Sequence, residues 1–183
     1  MRSKKNLQQE VDNKPATELF FFDESRFGTH SKIGHGWFET GTRTKVKISL
    51  GFKNFYVYSA VSSKTGDNFH LILPLVNTDC MNIYLQEFSI FLKTKQAIIV
   101  LDGASWHKSQ DLIVPNNIQL IALPAYSPEL NPTERLWEYV KNHILKNKIY
   151  ECINLLENAV CQFLNGLTNE QIMQTCNCNY LTL

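Results

Sequence analysis

AIIVLD, residues 97–102, is an unbroken apolar run that ends in an aspartate. Continuous apolar residues are expected for a central strand that is covered on both faces of a sheet. A second run of this kind, at residues 118–123, ends just before Pro124. The sequence therefore predicts two neighbouring interior strands, with Asp102 at the end of the first.

The other elements follow from hydrophobic spacing and turn residues. A short aromatic strand is predicted at residues 18–22, and strands at 45–63 and 69–73 are joined by a turn at 64–68. Helices are predicted from Asn77 or Thr78 to about Leu92, from Pro132 to about Lys146, and from about Glu151 to Leu164, with Gly166 as a stop signal. This order predicts an α/β fold, a mixed five-stranded sheet with flanking helices, and it resembles that of the ribonuclease H-like fold.

Three carboxylates occupy positions that suit a metal site. Asp23 follows the strand at 18–22, Asp102 follows the strand at 97–101, and Glu134 falls in the first turn of the helix that begins at Pro132. Asp and Glu supply the oxygen ligands that hard divalent cations require. We expect the two aspartates on neighbouring central strands, with the glutamate brought over them by its helix.

Each carboxylate also has a structural explanation. Asn131, Pro132 and Glu134 fit an N-cap, an N1 proline and the N3 member of a capping box. Asp102 followed by glycine is typical of a turn, and Asp23 after three phenylalanines fits the polar end of an edge strand. The catalytic interpretation therefore depends on the three segments occurring together and in this order.

Three segments together resemble the catalytic blocks of bacterial insertion-sequence transposases of the mariner-like DDE superfamily. They are FDESRFG at 22–28, LDGASWHKS at 101–109 and LPAYSPELNPTERLW at 123–137, and the likeness runs from about residue 18 to 148. By this resemblance the catalytic and metal-binding triad is Asp23, Asp102 and Glu134, rather than the nearby Glu24 or Glu129.

The resemblance also implies a reaction and a cofactor. Two Mg²⁺ or Mn²⁺ ions would be shared by Asp23, with Asp102 and Glu134 each completing one site. The expected reaction is hydrolysis of DNA at transposon ends followed by transfer of the 3′-hydroxyl to target DNA. A hydrolysis-only nuclease of ribonuclease H-like fold and a non-catalytic transposase remnant or partner subunit are the alternatives.

The resemblance further implies a partner domain. Relatives carry an N-terminal helix-turn-helix region that binds the transposon ends, and the leader at residues 1–17 is too short to hold one. We expect residues 18–183 to form the catalytic domain, with the helix-turn-helix portion absent from this chain. Either a separately encoded portion supplies it, or this copy is decayed. An active protein of this kind is expected to be a homodimer. The segment between the second and third acids is a few residues shorter than is usual in the family.

Composition sets limits on the protein class. The chain has 183 residues, 44% of them hydrophobic and 19% charged, which fits one ordinary globular domain. Its net charge of +1 is far from that of a free-standing DNA-binding module, so most DNA affinity is expected to lie elsewhere.

No apolar run approaches the roughly 20 residues that span a bilayer, and we expect a cytoplasmic protein without membrane contact. The five scattered cysteines favour reduced thiols.

Several further residues are candidates for contact with DNA. His107 and Lys108 follow Asp102 closely in the chain. Arg26 and Arg43 are expected to approach DNA from the side of the domain that carries the loops. Lys141 lies two helical turns after Glu134. His107 equally fits a structural role, and an ion pair with Glu138 or simple solvation is the safer interpretation of Lys141. Four residues form an apolar stripe on this helix that favours a place in the core over base stacking: Leu136, Trp137, Val140 and Ile144.

Overall fold

The computed structural model describes residues 17–30, 40–41, 50–104, 109–124 and 127–178. Its strands are β1 (Thr17–His30), β2 (Leu50–Val61), β3 (Asn68–Leu73), β4 (Gln96–Leu101) and β5 (Ile118–Ala122). Its helices are α1 (Thr78–Leu92), α2 (Thr133–Ile144), α3 (Ile153–Asn165) and α4 (Asn169–Thr175), with a short 3-10 turn at Pro128–Leu130 before α2. All but the last residue of the predicted leader lies outside the described residues.

The described strands form one mixed sheet in the order β3-β2-β1-β4-β5. β1 pairs antiparallel with β2 and parallel with β4, while β2–β3 is antiparallel and β4–β5 parallel. The predicted five-stranded α/β sheet is therefore confirmed, and the strands that carry or precede the two aspartates are neighbours.

Two details of the predicted sheet are wrong. The sequence predicts β5 inside the sheet, but it is an edge strand, and only part of it is buried: Ile118 and Ile121 are buried, while Gln119 and Ala122 are exposed. The sequence also predicts that β1 ends at Phe22, but the strand continues to His30. The reason is that β2 keeps pairing with β1 after β4 has ended, so Asp23 lies inside a strand.

The alternation of side chains along β1 divides the core into two parts. Phe20 and Phe22 face α1, where they pack with Tyr84 and other aromatic residues. Phe21 and Phe27 point to the opposite face and pack under α2 and α3. Asp23 lies between Phe21 and Phe27 in the strand and on the same face of the sheet. The pleat of β1 therefore directs its carboxylate toward α2.

The helices confirm most of the sequence signals. The side chain of Asn77 caps α1 by accepting a hydrogen bond from the backbone N–H of Cys80 at 2.8 Å, and Gly166 follows the end of α3, as predicted. α4 is not among the predicted helices, although Thr168 and Gln171 form the capping box that begins it. The five cysteines are all free thiols, as predicted. No helix in the described ranges is long and apolar enough to cross a membrane.

The turn between β2 and β3 supports the start of α4. The side-chain amide of Asn169 donates to the carbonyl of Thr65 at 3.2 Å and to Asp67 Oδ1 at 3.3 Å. Gly66 lies between them with a φ of +74°, and a Cβ placed there would come within 2.2 Å of the Asn169 carbonyl oxygen. Glycine is therefore required at position 66 for two reasons: its positive φ and the close approach of α4.

We predict that Gly66→Ala lowers the free energy of unfolding by about 2–3 kcal/mol, because it adds a backbone clash to the strain of a positive φ. Gly41→Ala is the matched control, since Gly41 has a φ of +89° and a Cβ placed on it would meet no atom of the described residues within 4 Å. The control should cost about 1 kcal/mol by urea denaturation. Equal losses for the two variants would contradict the close contact with α4.

Candidate active site

Two buried hydrogen bonds dock the start of α2 on β1. The side-chain amide of Asn131 donates to the carbonyl of Phe22 at 2.8 Å, and the hydroxyl of Thr133 donates to the carbonyl of Phe21 at 3.0 Å. Asn131 and Thr133 are only 5% and 0% exposed. Buried polar groups of this kind must be satisfied, so the two bonds fix the position of α2 along β1.

The helix start differs by one residue from the predicted cap. α2 begins at Thr133 with Pro132 as its N-cap, and Pro132 is already helical at φ −65° and ψ −16°. The Oδ1 of Asn131 accepts from the Thr133 N–H at 3.2 Å, while its amide group is engaged with β1. Asn131 therefore joins the helix start to the strand, a tertiary role that a local capping pattern does not show.

Asp23 faces this helix start in an environment that opposes its charge. Burial raises the pKa of Asp23 to about 8, and the negative charges of Glu134 and Glu24 contribute to this rise. The indole N–H of Trp137 and the backbone N–H of Glu24 act in the opposite direction by donating to the carboxylate. Glu134 is thus close enough to Asp23 for its negative charge to raise the Asp23 pKa.

Asp102 lies at the same level of the sheet as Asp23. β1 and β4 pair through Phe21 and Val100, and each aspartate comes two residues later in the chain. Asp102 is exposed just past the end of β4, and its Oδ1 accepts from the backbone N–H of Ala104 at 3.1 Å. The turn predicted after this strand is therefore present, and the two aspartates follow paired positions of neighbouring strands.

Glu134 is exposed in the first turn of α2, as the sequence predicted. The predicted grouping of Asp23 with Asp102 on neighbouring strands and Glu134 on the overlying helix matches these positions. In the described ranges, however, no three His, Cys, Asp or Glu side chains stand close enough together to hold a metal ion as they are. Their assignment as metal ligands stays a prediction.

The donor set nevertheless suits a hard divalent cation. The three side chains offer only carboxylate oxygens, which Mg²⁺ and Mn²⁺ prefer. The pKa of Asp23 is raised by burial and by two neighbouring negative charges, so this position carries an excess of negative charge when the acid ionises. A divalent cation would neutralise that excess.

Trp137 has a role that the sequence did not reveal. Its predicted place in the core is confirmed, since it is 3% exposed, but its indole N–H also donates to Asp23 Oδ2 at 2.9 Å. Trp137 comes three residues after Glu134, which places both on neighbouring positions of one helix surface. That spacing is the signal from which the contact could have been inferred.

The predicted DNA contacts are only partly within the described chain. Arg26 is exposed on β1. The ammonium group of Lys141 lies 5.6 Å from the centre of the Phe27 ring, a cation–π contact that the sequence analysis does not predict. His107, Lys108 and Arg43 lie outside the described residues, so their role stays a prediction.

A family model described as DDE superfamily endonuclease matches residues 18–157, which is most of the chain. The chain belongs to this family. Among its relatives, the uncharacterized protein y4pE/y4sA of Sinorhizobium fredii is 34% identical over 116 residues, which are 63% of this chain and 86% of that protein. The Tc3 transposase of Caenorhabditis elegans is 24% identical over 168 residues, 85% of this chain and 51% of the transposase.

The fold of this DDE family member is also found in solved structures. The Mos1 mariner paired-end complex with Mn superposes with a TM-score of 0.75 at 15% identity, covering 96% of this chain and 56% of the Mos1 chain. A likeness at this identity concerns the fold alone, and it confirms the predicted ribonuclease H-like architecture. The chain spans about half the length of the Tc3 and Mos1 transposases that it matches.

We predict that Asp23→Asn stabilises the metal-free protein increasingly as the pH rises. The pKa of Asp23 is about 8 in the folded state against 3.8 when unperturbed, so the native state binds more protons between these values. The free energy of unfolding therefore falls as the pH rises from about 4 to about 8. Asn has no charge to bury, so the gain of the variant on the native protein should grow from near zero at about pH 4 to about 5 kcal/mol at about pH 8.

Urea denaturation at several pH values in the presence of EDTA measures this difference. Glu129→Gln is the control, because Glu129 is exposed and the charges that raise the Asp23 pKa are those of Glu134 and Glu24. The control should follow the native curve. A constant offset between Asp23→Asn and the native protein at every pH would contradict the raised pKa of this carboxyl group.

We also predict that Asn131→Ala lowers the free energy of unfolding by about 2–3 kcal/mol, since it leaves the buried Phe22 carbonyl without its side-chain donor. Asn165→Ala at the exposed end of α3 is the matched control, with an expected change of about 0.5 kcal/mol or less. Equal effects, measured by thermal or urea denaturation, would show that α2 is held by its apolar face alone.

Proposed function

We propose that this DDE family member is the catalytic domain of a DNA transposase, and that Asp23, Asp102 and Glu134 are its catalytic and metal-binding residues. The observation that carries the proposal is the docking of α2 on β1, which brings the charge of Glu134 against the half-buried Asp23. Asp102 follows the neighbouring strand at the same level. The Tc3 relative is named a transposase, and the Mos1 structure is a paired-end complex.

The proposed cofactor is a pair of Mg²⁺ or Mn²⁺ ions. Mos1 paired-end complexes are described with Mn and with Mg, and the carboxylates of this chain have the donor chemistry that both ions prefer. When bound, two such ions supply an activated nucleophile and stabilise the leaving oxygen of a phosphodiester. Asp23 would be shared between them, with Asp102 and Glu134 each completing one site.

The residues of the chain itself would orient this centre. Asn131 and Thr133 hold the first turn of α2 against β1, so that Glu134 is presented to Asp23 by a buried and hydrogen-bonded support. The strand β4 presents Asp102 from the sheet. Rigid elements of this kind keep ligands in place more accurately than loops do.

The larger assembly is also a proposal. We propose residues 18–183 as the catalytic domain, joined in the active protein to a helix-turn-helix portion that recognises transposon ends, and acting as a homodimer on DNA in the cytoplasm. The proposed contacts with DNA are His107, Lys108, Arg26, Arg43 and Lys141. The near-neutral net charge of +1 favours this division, because a separate module would supply most of the affinity for DNA.

We predict that the purified chain binds Mn²⁺ in a calorimetric titration and that Asp23→Asn, Asp102→Asn and Glu134→Gln each weaken this binding at least tenfold, since each removes a charged ligand. Glu129→Gln and Glu138→Gln are the controls, as both residues are exposed near the same helix start and lie outside the proposed triad. Their binding should equal that of the native chain.

A DNA assay then separates the alternatives. An oligonucleotide with a free 3′-hydroxyl at a transposon end is expected to be joined to plasmid DNA when both Mn²⁺ and the end-binding portion are present. Cleavage without joining would favour the hydrolysis-only nuclease. Absence of metal binding, or metal binding indifferent to all three substitutions, would favour a non-catalytic remnant or partner subunit.

A further inference from the structure

The hydrogen bond between Trp137 and Asp23 joins a buried aromatic residue to the proposed metal site. The indole Nε1 donates to Oδ2 of Asp23 at 2.9 Å, and the two residues are 114 positions apart in the chain. An indole has a single donor and no acceptor, so this bond can form only toward an acceptor such as a carboxylate oxygen. The contact is therefore directional.

The indole ring is held firmly by its surroundings. Trp137 is 3% exposed, and its ring meets Phe27 edge to face, with centroids 6.1 Å apart. Phe27 in turn stacks on Phe55 with centroids 5.8 Å apart and planes inclined by 12°. A closely packed ring of this kind cannot change its rotamer without moving its neighbours. The N–H group is thus fixed relative to β1 and β2.

The remaining acceptor capacity of Asp23 is also informative. An ionised carboxylate has about four lone-pair sites. The indole N–H of Trp137 and the backbone N–H of Glu24 both donate to this carboxylate. Counting only donors from the described residues, about two sites are left, which is enough for a carboxylate shared by two ions.

One turn of α2 therefore carries one proposed metal ligand and a side chain that contacts another. Glu134 is the third carboxylate, and Trp137, three residues later, contacts the first. Side chains that hydrogen-bond a metal ligand orient it, and their loss typically weakens metal binding by about 10- to 100-fold.

We propose that Trp137 is a positioning residue that holds the carboxylate of Asp23 in the orientation required for divalent metal binding. This inference rests on the proposed function, because it takes Asp23 as a metal ligand. Trp137 acts through Asp23 and does not contact the metal or the DNA itself. Because Trp137 packs against Phe27, the orientation of the Asp23 carboxylate depends on how the core is packed.

The first test compares Trp137→Phe with the native chain in a calorimetric Mn²⁺ titration. Phenylalanine keeps an aromatic ring in the core and removes the N–H, so we expect Mn²⁺ binding to weaken about tenfold, which corresponds to about 1.4 kcal/mol. Val140→Ala is the control, because it removes buried packing one turn further along α2 without altering a group that contacts Asp23. It should lower the melting temperature and leave Mn²⁺ affinity unchanged.

A second measurement uses the native protein, so it does not depend on the folding of a variant. In a chain labelled with ¹⁵N-tryptophan, the indole N–H resonance of Trp137 should shift as Mg²⁺ is added and should saturate with the metal-binding curve. A resonance that stays unchanged at saturating Mg²⁺ would overturn the proposal.

The outcomes distinguish the positioning role from the proposed function. If the native chain binds Mn²⁺ and Trp137→Phe binds it equally well, the positioning role is wrong and the proposed metal site stands. If Val140→Ala weakens binding as much as Trp137→Phe, general packing explains the effect and the positioning role is again wrong. If the native chain binds neither Mn²⁺ nor Mg²⁺, the proposed function fails and the positioning role fails with it.

Discussion

The structure of the site depends on two side chains that bind the backbone of β1. Asn131 and Thr133 donate to the carbonyls of Phe22 and Phe21, across 109 and 112 residues of sequence. Apolar packing alone tolerates small shifts of a helix on a sheet, because hydrophobic contact is not directional. Buried hydrogen bonds remove that freedom, so the first turn of α2 has one position relative to Asp23.

That position has an energetic cost of the kind that is concentrated at functional sites. Burial and the charge of Glu134 together raise the pKa of Asp23 to about 8, so ionising this carboxylate in the folded protein is unfavourable. Carboxylates crowded in this way are concentrated where catalysis or metal binding requires them. The hydrogen bond from Trp137 offsets part of the cost. The DDE family membership and the positions of the carboxylates thus point to the same chemistry.

Local patterns in the sequence predicted the elements that carry Asp102 and Glu134, because an unbroken apolar run and a helix start are visible within a few residues. The length of β1 and the edge position of β5 were not predictable in this way, since both are decided by which strand lies alongside. The spacing of α2 placed Trp137 in the core, but its bond to Asp23 requires knowing that α2 crosses β1. The capping box at the start of α4 shows that a local signal can also be overlooked.

Anomalous diffraction from crystals grown with MnCl₂ tests the proposed metal site most directly, because it locates the ion without requiring DNA or the proposed end-binding portion. We expect anomalous peaks within coordination distance of the carboxylate oxygens of Asp23, Asp102 and Glu134. Mn²⁺ bound only elsewhere on the protein, or no ordered ion at saturating MnCl₂, would contradict the assignment of these three residues.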